Sequence, residues 1–204
     1  AIVGAGFIGG AIKAARWADN LQDLAVQAGV SAEKLQVLRF MSVEAGMSAD
    51  DMDQAIVRLT RGIGEARTGQ GELADQMRRY RIDVTDAKGE TRSTSDVLRD
   101  IAERIKNAKS AAEAMSLAYA AFGRNAGPKM VVALKDGSAA FDSAAKRAQE
   151  LGIVLGDDVV KKAADASDHL DKVWYIIKVR GMAAFAEFAP LVLVLYRREL
   201  PSKR

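Results

Sequence analysis

The chain has 204 residues, enough for one domain with a substantial core or for two small domains. Apolar residues make up 49% and charged residues 28%, and many residues are good helix formers, so the composition predicts an all-α fold. The absence of Cys excludes disulfides and thiol catalysis, and the single His excludes a histidine metal cluster within the chain. The net charge is +3, and its positive and negative residues are interspersed, whereas a dedicated nucleic-acid binder concentrates basic residues on one face.

Residues 1–20 are rich in small and apolar side chains, and we predict that they form a helix. They contain Gly4-Ala5-Gly6-Phe7-Ile8-Gly9, which matches the G-x-G-x-x-G pattern of dinucleotide-binding turns. That interpretation requires a second strand ending in an acidic residue about 20 positions later, within a series of βαβ units. The residues at that distance, Leu24 to Ser31, instead predict a helix end and a turn. We therefore expect the glycines to permit close helix packing and expect no bound cofactor.

Short helices with the same start and stop signals follow. Apolar residues at spacings of three and four predict a helix from Arg16 to Ala28. Gly29 and Gly46 are typical of helix ends, and Ser31 and Ser48 are typical of N-caps. Since the order of stop, apolar residue, cap and new helix occurs twice, we predict successive antiparallel short helices. The helix after Ser48 carries an apolar face of Met52, Ala55, Ile56, Leu59 and Ile63.

Residues 21–39 also match the pattern of a DNA-binding helix-turn-helix, with a small residue at the helix crossing and a glycine at the turn. The second helix would present Lys34, Gln36 and Arg39 to DNA. Any tight turn between two helices fits the same pattern, and its second copy carries Asp50-Asp51, which would repel phosphate. A DNA-binding regulator that uses residues 21–39 is therefore the alternative function.

The helix predicted to end at Tyr80 carries a cluster of basic residues, Arg78, Arg79 and Arg81. Positive charge suits a helix C-terminus, and the same cluster fits an acidic partner.

Residues 82–93 alternate polar and apolar side chains around a turn, so we expect at most one small β-hairpin there. The carboxylates of this segment do not follow calcium-loop spacing, and we predict no metal site.

Residues 114–137 are the most uniformly apolar long stretch in the middle of the chain. The break at Phe122-Gly123-Arg124 predicts two apolar helices folded against each other. Gly123 and Gly127 would permit the backbone turn, and Pro128 would open the second helix. We interpret this stretch as core and not as an active site, because no other catalytic group is placed to join it.

The flanking segments also predict helices. Ser93 or Ser95 starts one helix, Ser110 starts the helix that leads into the apolar stretch, and another helix runs from Ser138 to Leu151. These signals give three predicted parts: a small-residue apolar helix (1–20), a compact helical domain (21–155), and a long helix with an apolar C-terminal segment (156–204).

The last part combines a long helix predicted from Asp157 to Ile177 with an apolar segment at residues 182–196. The apolar segment contains Glu187 and Pro190 and is shorter than a typical membrane-spanning helix. We interpret it as a core or interface helix, with membrane contact as the alternative. The whole chain offers no catalytic, cofactor-binding or metal-binding residue that we would assign, so we predict that it is not an enzyme.

Several short motifs follow one another in a specific order over residues 10–175. They are Ala18-Asp19, Leu21-Gln22-Asp23-Leu24-Ala25, Gly29-Val30-Ser31, Glu33-Lys34-Leu35-Gln36, Gly46-Met47-Ser48, Asp51-Met52, Arg81-Ile82-Asp83-Val84 with Asp86 and Gly89, Asp96-Val97-Leu98, Ile101-Ala102, Ala121-Phe122-Gly123-Arg124 with Leu134 and Gly137, and Glu150-Leu151-Gly152. Their order and spacing resemble the tail tape measure proteins of long-tailed phages and prophages. Members of that family generally have Gly where this chain has Arg81.

The resemblance implies a structural role. A protein of this kind is helical, lies in the lumen of the tail tube, templates the length to which the tube polymerises, and leaves ahead of the DNA at ejection. The implied partners are the tail tube protein, tail assembly chaperones and other copies of the chain, with membrane contact at residues 182–196 and no nucleic acid. The implied locations are the virion tail and, during assembly, the host cytoplasm.

Overall fold

A computed structural model describes the backbone of residues 2–172 and 175, and the side chains of that part from residue 12 onwards. The described chain is helical, and no strand occurs in it. Its helices are α1 (Ile2–Gln27), α2 (Ala32–Glu44), α3 (Ala49–Arg67), α4 (Gly71–Tyr80), α5 (Thr94–Lys106), α6 (Ala111–Ala133) and α7 (Ala139–Glu150). A further helix, α8, covers residues 157–172. The prediction of an all-α fold is confirmed for this part of the chain.

The predicted start and stop signals work locally as expected. The hydroxyl oxygens of four N-cap serines each accept a hydrogen bond from the backbone N–H three residues later, at 3.1 or 3.2 Å: Ser31, Ser48, Ser93 and Ser110. Gly29 and Gly46 follow α1 and α2 with φ of +61° and +70°. Since a left-handed residue ends a helix and a serine starts the next one, these short sequences determine where the chain turns.

The main core forms around α3, which contacts α1, α2, α4, α5 and α6. Met52, Ile56, Leu59 and Ile63 occur at spacings of three and four along this helix, and all are buried. They belong to one apolar cluster with buried side chains of α4, α5 and α6, among them Phe122. The apolar face that the sequence predicts for α3 is therefore the centre of the fold.

A smaller apolar cluster joins α1 and α2 to α8. Its members are Ala18, Leu21, Ala25, Ala32, Leu35 and Val160. Helix α1 runs without interruption from residue 2 to residue 27. The prediction of two helices, one ending at residue 20 and another beginning at Arg16, is therefore wrong. Gly4 to Gly9 lies inside α1, and the strand and tight turn of a dinucleotide-binding loop are not formed there.

The predicted hairpin at residues 82–93 is reduced to a single antiparallel bridge between Thr85 and Thr91. Its turn is present, because Asp86 Oδ1 accepts a hydrogen bond of 2.8 Å from the Lys88 backbone N–H. Most side chains of this segment are exposed. Ile82 is buried and Val84 packs against the main cluster, but two such short segments with few other apolar side chains have little to hold them together as strands.

Helix α6 bends at Gly123, where φ is +81° and ψ is 172°. The predicted break is confirmed at that residue, but the helix resumes at once, so Pro128 lies inside the second half and does not open it. A Cβ atom at Gly127 would lie 3.2 Å from the carbonyl oxygen of Ala118. The missing side chain therefore lets the second half of α6 pass close to the backbone of the first half.

Gly123→Ala is expected to lower the free energy of unfolding by about 1–3 kcal/mol, because the backbone conformation of Gly123 is one that essentially only glycine adopts. The added Cβ would also lie 3.2 Å from Arg58 Nε. Urea denaturation measures the effect. Gly64→Ala in α3 is the matched control, since nothing lies within 4 Å of its added Cβ, and it should be neutral or stabilise by up to about 1 kcal/mol. Equal losses at both sites would contradict this account.

Arg81, immediately after α4, adopts the left-handed conformation with φ of 52° and ψ of 48°. Among the described residues it is the one non-glycine residue with positive φ. It is also the position at which the tape measure proteins that this chain resembles generally have Gly. The departure therefore has a physical cost, because a left-handed conformation strains any side chain that carries a Cβ atom.

Arg81→Gly is expected to raise the free energy of unfolding by about 0.5–1 kcal/mol, since relief of the left-handed strain exceeds the added entropy of the unfolded chain. Thermal and urea denaturation measure the change. Arg79→Gly, two residues earlier and inside α4, should instead destabilise by about 1 kcal/mol, the usual cost of glycine in a helix. A loss of stability in the Arg81 variant would show that the arginine side chain makes a contact that outweighs the strain.

The described part of the last segment comprises α8 and Tyr175. The rest of the predicted helix to Ile177 and the apolar segment 182–196 lie outside the described residues. Within the described residues, no helix combines the length and the apolarity that crossing a membrane requires.

Candidate functional site

The residues predicted to read DNA are mostly engaged in contacts within the protein. Arg39 donates two hydrogen bonds to Asp53, from Nε to Oδ1 at 2.9 Å and from Nη2 to Oδ2 at 2.8 Å. Only 18% of the Arg39 side chain and 7% of the Asp53 side chain are exposed. Gln36 is buried, and its amide donates to the carbonyl oxygen of Leu155 and accepts from the Leu155 N–H, at 2.9 and 3.0 Å.

The start of α2 is occupied as well. Asp157 Oδ1 accepts a hydrogen bond of 2.7 Å from the Glu33 backbone N–H. A carboxylate therefore lies at the helix N-terminus that a helix-turn-helix would bring towards DNA. Of the three side chains proposed to read bases, Lys34 is the exposed one. The geometry of α2 does not favour DNA recognition.

A basic cleft of about 820 Å³ lies where α4 ends and α6 begins, with the end of α5 along its side. Four of its lining residues are cations: Arg79, Arg81, Arg104 and Lys109. None of the four forms an ion pair with another described residue. We call this feature the basic cleft, and we regard it as the candidate functional site.

Three separate helix ends position these cations. Arg79 lies in the last turn of α4, and its guanidinium carbon is 5.8 Å from the centre of the Tyr80 ring. Arg81 follows in the left-handed conformation that ends α4, and Arg104 lies in the last turn of α5. Lys109 directly precedes the cap of α6. Basic residues at helix C-termini are electrostatically favourable, which applies to Arg79, Arg81 and Arg104, whereas Lys109 lies at a helix N-terminus.

The start of α6 carries its own carboxylate. Ser110 Oγ accepts from the Glu113 N–H at 3.2 Å, and Glu113 Oε2 accepts from the Lys109 N–H at 2.8 Å. The arrangement is similar to a capping box, except that Glu113 bonds the residue before the cap, and it keeps the Glu113 carboxylate at the helix end. Glu113 is the one carboxylate that lines the basic cleft. The positive groups therefore outnumber the negative ones there.

A hollow of about 230 Å³, lined by two arginines and two carboxylates, borders the basic cleft and shares Arg81 and Arg104 with it. Asp100 lines the hollow and pairs with Arg92 at 2.7 Å. Glu103 Oε1 accepts hydrogen bonds from Ser138, from the hydroxyl at 2.6 Å and from the backbone N–H at 2.7 Å. The hydroxyl contact is the largest cause of a lowered pKa at Glu103. Its carboxylate is therefore charged at neutral pH, and negative charge borders the basic cleft.

A second cleft, of about 540 Å³, lies beside the kink of α6. It contains Arg124 and Asn125, which follow the glycine break, but its charges are of both signs. Asp53 pairs with Arg39, and Asp51 lies 3.8 Å from Lys129. Its carboxylates are thus already compensated, and one of its three lining arginines, Arg61, lies 3.6 Å from Glu65. Arg58 and Arg124 remain without an ion pair to a described residue, so this cleft holds two such cations where the basic cleft holds four.

Within the part of the chain that the structure describes, the other titratable groups do not converge on a catalytic arrangement. Burial raises the pKa of Asp19, with smaller contributions from nearby carboxylates such as Asp23. A hydrogen bond from Arg99 lowers the pKa of Asp142, and one to Glu44 raises that of Arg147. The described residues contain no group of three or more acidic or histidine side chains placed to hold a metal ion.

Comparisons with protein-family models, with curated proteins and with solved structures find no match for this chain. The candidate site therefore rests on the geometry described above.

The sequence indicated only part of the basic cleft. It grouped Arg78, Arg79 and Arg81, but Arg78 forms an ion pair with Asp75 and does not line the cleft. Arg104 and the residues beyond it join the site only because α6 packs against both α4 and α5. The one local signal was the basic last turn of α5, which by itself is typical of any helix end.

Proposed function

We propose that this chain is a structural assembly protein of a phage or prophage tail, similar to tape measure proteins, which occupies the lumen of the tail tube and templates its length. The observation that carries the proposal is the order of motifs over residues 10–175. An all-helical fold in the described residues is compatible with that role.

The positions of the motifs support treating them as markers of a shared fold. Gly29 and Gly46 end helices, Phe122 and Gly123 form the kink of α6 in the core, and Gly137 has a left-handed φ of +69° shortly before α7. Residues that determine helix ends and packing are the ones that a family must keep to preserve a fold. We therefore propose that the motifs are shared because they specify helix ends and packing.

The proposed partners are the tail tube protein, tail assembly chaperones and further copies of the chain, in the virion tail and, during assembly, in the host cytoplasm. Apolar side chains exposed near the end of the described chain support self-association, since such surfaces often mark contacts between proteins. They are Leu151, Ile153, Leu155 and Val159.

Co-expression with the tail tube subunit encoded in the same genome tests the proposal. We expect the two proteins to co-purify and to sediment together, with the tube subunit of an unrelated phage as the negative control. A chain that stays monomeric at all concentrations and does not bind the tube subunit would contradict the assembly role.

The length-templating function has its own test in a phage that encodes the chain. An in-frame deletion of 20 helical residues should shorten the tail by about 30 Å if those residues lie along the tube as a helix. Electron microscopy measures the tail length. Particles with normal tail length would contradict templating even if the chain binds the tube protein.

A further inference from the structure

We propose that the basic cleft is a docking site for an acidic segment of a partner protein, which would place two or three carboxylates between α4, α5 and α6. This inference does not depend on the proposed role in a phage tail. It rests on the arrangement of charge in the cleft, on the polar groups that line it and on the carboxylates of the neighbouring hollow.

The first argument is the concentration of free positive charge. Arg79, Arg81, Arg104 and Lys109 come from three elements and converge on one cleft without an ion pair to any described residue. Three of the four are arginines, whose planar guanidinium groups match the two oxygens of a carboxylate. Four like charges at one place repel each other, and an acidic ligand would relieve that repulsion.

The second argument is the set of polar groups beside these cations. Ala112 lines the cleft in the first turn of α6, a helix end that the Glu113 carboxylate and the Ser110 hydroxyl already occupy, so side chains and not this helix end supply the contacts. Asn107, Ser110 and Ser116 also line it. Their amide and hydroxyl groups both donate and accept hydrogen bonds, which suits the backbone of a bound peptide. A volume of about 820 Å³ is in the range of pockets that hold an organic ligand, and it exceeds what a single phosphate needs.

The third argument separates a peptide from a nucleic acid. The hollow beside the cleft adds no cation beyond Arg81 and Arg104, which it shares with the cleft, and it contains the carboxylates of Asp100 and Glu103. A continuous phosphate backbone leaving the cleft in that direction would therefore find no further positive charge to pair with. A short acidic peptide can place its carboxylates inside the cleft and turn away. The charges therefore favour a compact acidic segment.

Fluorescence anisotropy with labelled hexaglutamate tests the proposal on the full chain. We expect saturable binding that weakens as salt is added, because the contacts are ionic. Arg104→Gln combined with Lys109→Gln should weaken binding by about tenfold or more, since two charge-assisted contacts are lost. The matched control is Lys34→Gln combined with Lys161→Gln, which removes the same charge from exposed positions on α2 and α8 and should change binding by less than about twofold.

Arg81→Gly separates lost binding from misfolding, because the thermal stability of the same variant is measured alongside its affinity. We expect it to weaken hexaglutamate binding while raising the thermal stability, as argued above for the left-handed residue. The proposal is overturned if the wild-type chain does not bind the peptide, or if the cleft and control variants lose affinity equally. It is also overturned if inorganic phosphate or a duplex oligonucleotide occupies the cleft more tightly than the peptide.

Discussion

Phe122→Ala is expected to lower the free energy of unfolding by about 3–5 kcal/mol, because it removes a buried aromatic ring from a packed core. Only 3% of the residue is exposed, and it belongs to the main apolar cluster. It also directly precedes the Gly123 kink, so the neighbouring backbone has little freedom to collapse into the cavity. Urea denaturation with a circular dichroism signal measures the loss.

Val132→Ala is the matched control for this change, since it lies on the same helix but is 56% exposed. We expect it to alter stability by no more than about 0.5 kcal/mol. A near-zero change at Phe122, or similar changes at both positions, would show that the first half of α6 is not part of the core. It would also show that the motif Ala121-Phe122-Gly123-Arg124 does not mark a core position.

Arg39→Ala is expected to destabilise the chain by about 3 kcal/mol, because it leaves the Asp53 carboxylate buried without its partner. The loss should be at the lower end of the usual range, since the arginine retains some exposure. Arg78→Ala is the control: its partner Asp75 is largely exposed, and the pair should contribute no more than about 1 kcal/mol. Equal effects would indicate that Asp53 is solvated when its partner is lost.

A second variant separates the cost of a stranded charge from the value of the pair. Replacing both partners, as Arg39→Met with Asp53→Leu, should recover most of the stability, since apolar residues of similar volume often replace a buried pair without loss. A double variant as unstable as the single one would contradict this explanation and point to a steric role for the arginine.

The Arg39 variant also bears on DNA binding. Because Arg39 is engaged by Asp53, we expect wild-type chain and Arg39→Ala to show the same lack of a duplex shift at low salt. Salt-dependent binding that weakens in a still-folded Arg39 variant would favour the regulator that the helix-turn-helix pattern suggests. The same substitution thus distinguishes a residue of the fold from a residue of a DNA interface.

Helix ends and core positions were predictable because their causes are local. A serine cap bonds to an N–H three residues away, and a glycine stop depends on its own φ, so Ser31, Ser48 and Gly29 could be assigned from neighbouring residues. The spacing of Ile56 and Leu59 indicated a buried face for the same reason.

The errors also have local explanations. We predicted two overlapping helices, one over residues 1–20 and one beginning at Arg16, because the composition changes near residue 16. No residue in that region stops a helix, and α1 continues through it. Pro128 was expected to start a helix because proline suits that position. The helix had already resumed after Gly123, and the kink, not the proline, determined its start.

The sequence by itself therefore determined the helix content, the caps, the glycine stops and the apolar faces, because each depends on residues within about one helical turn. Only the tertiary structure decided that Arg39 pairs with Asp53, that Gln36 binds Leu155, and that Arg104 joins Arg81 in the basic cleft. These residues are brought together by the packing of whole helices. Since that packing depends on the shapes of many side chains at once, no local pattern could predict which charges would be paired and which would remain free.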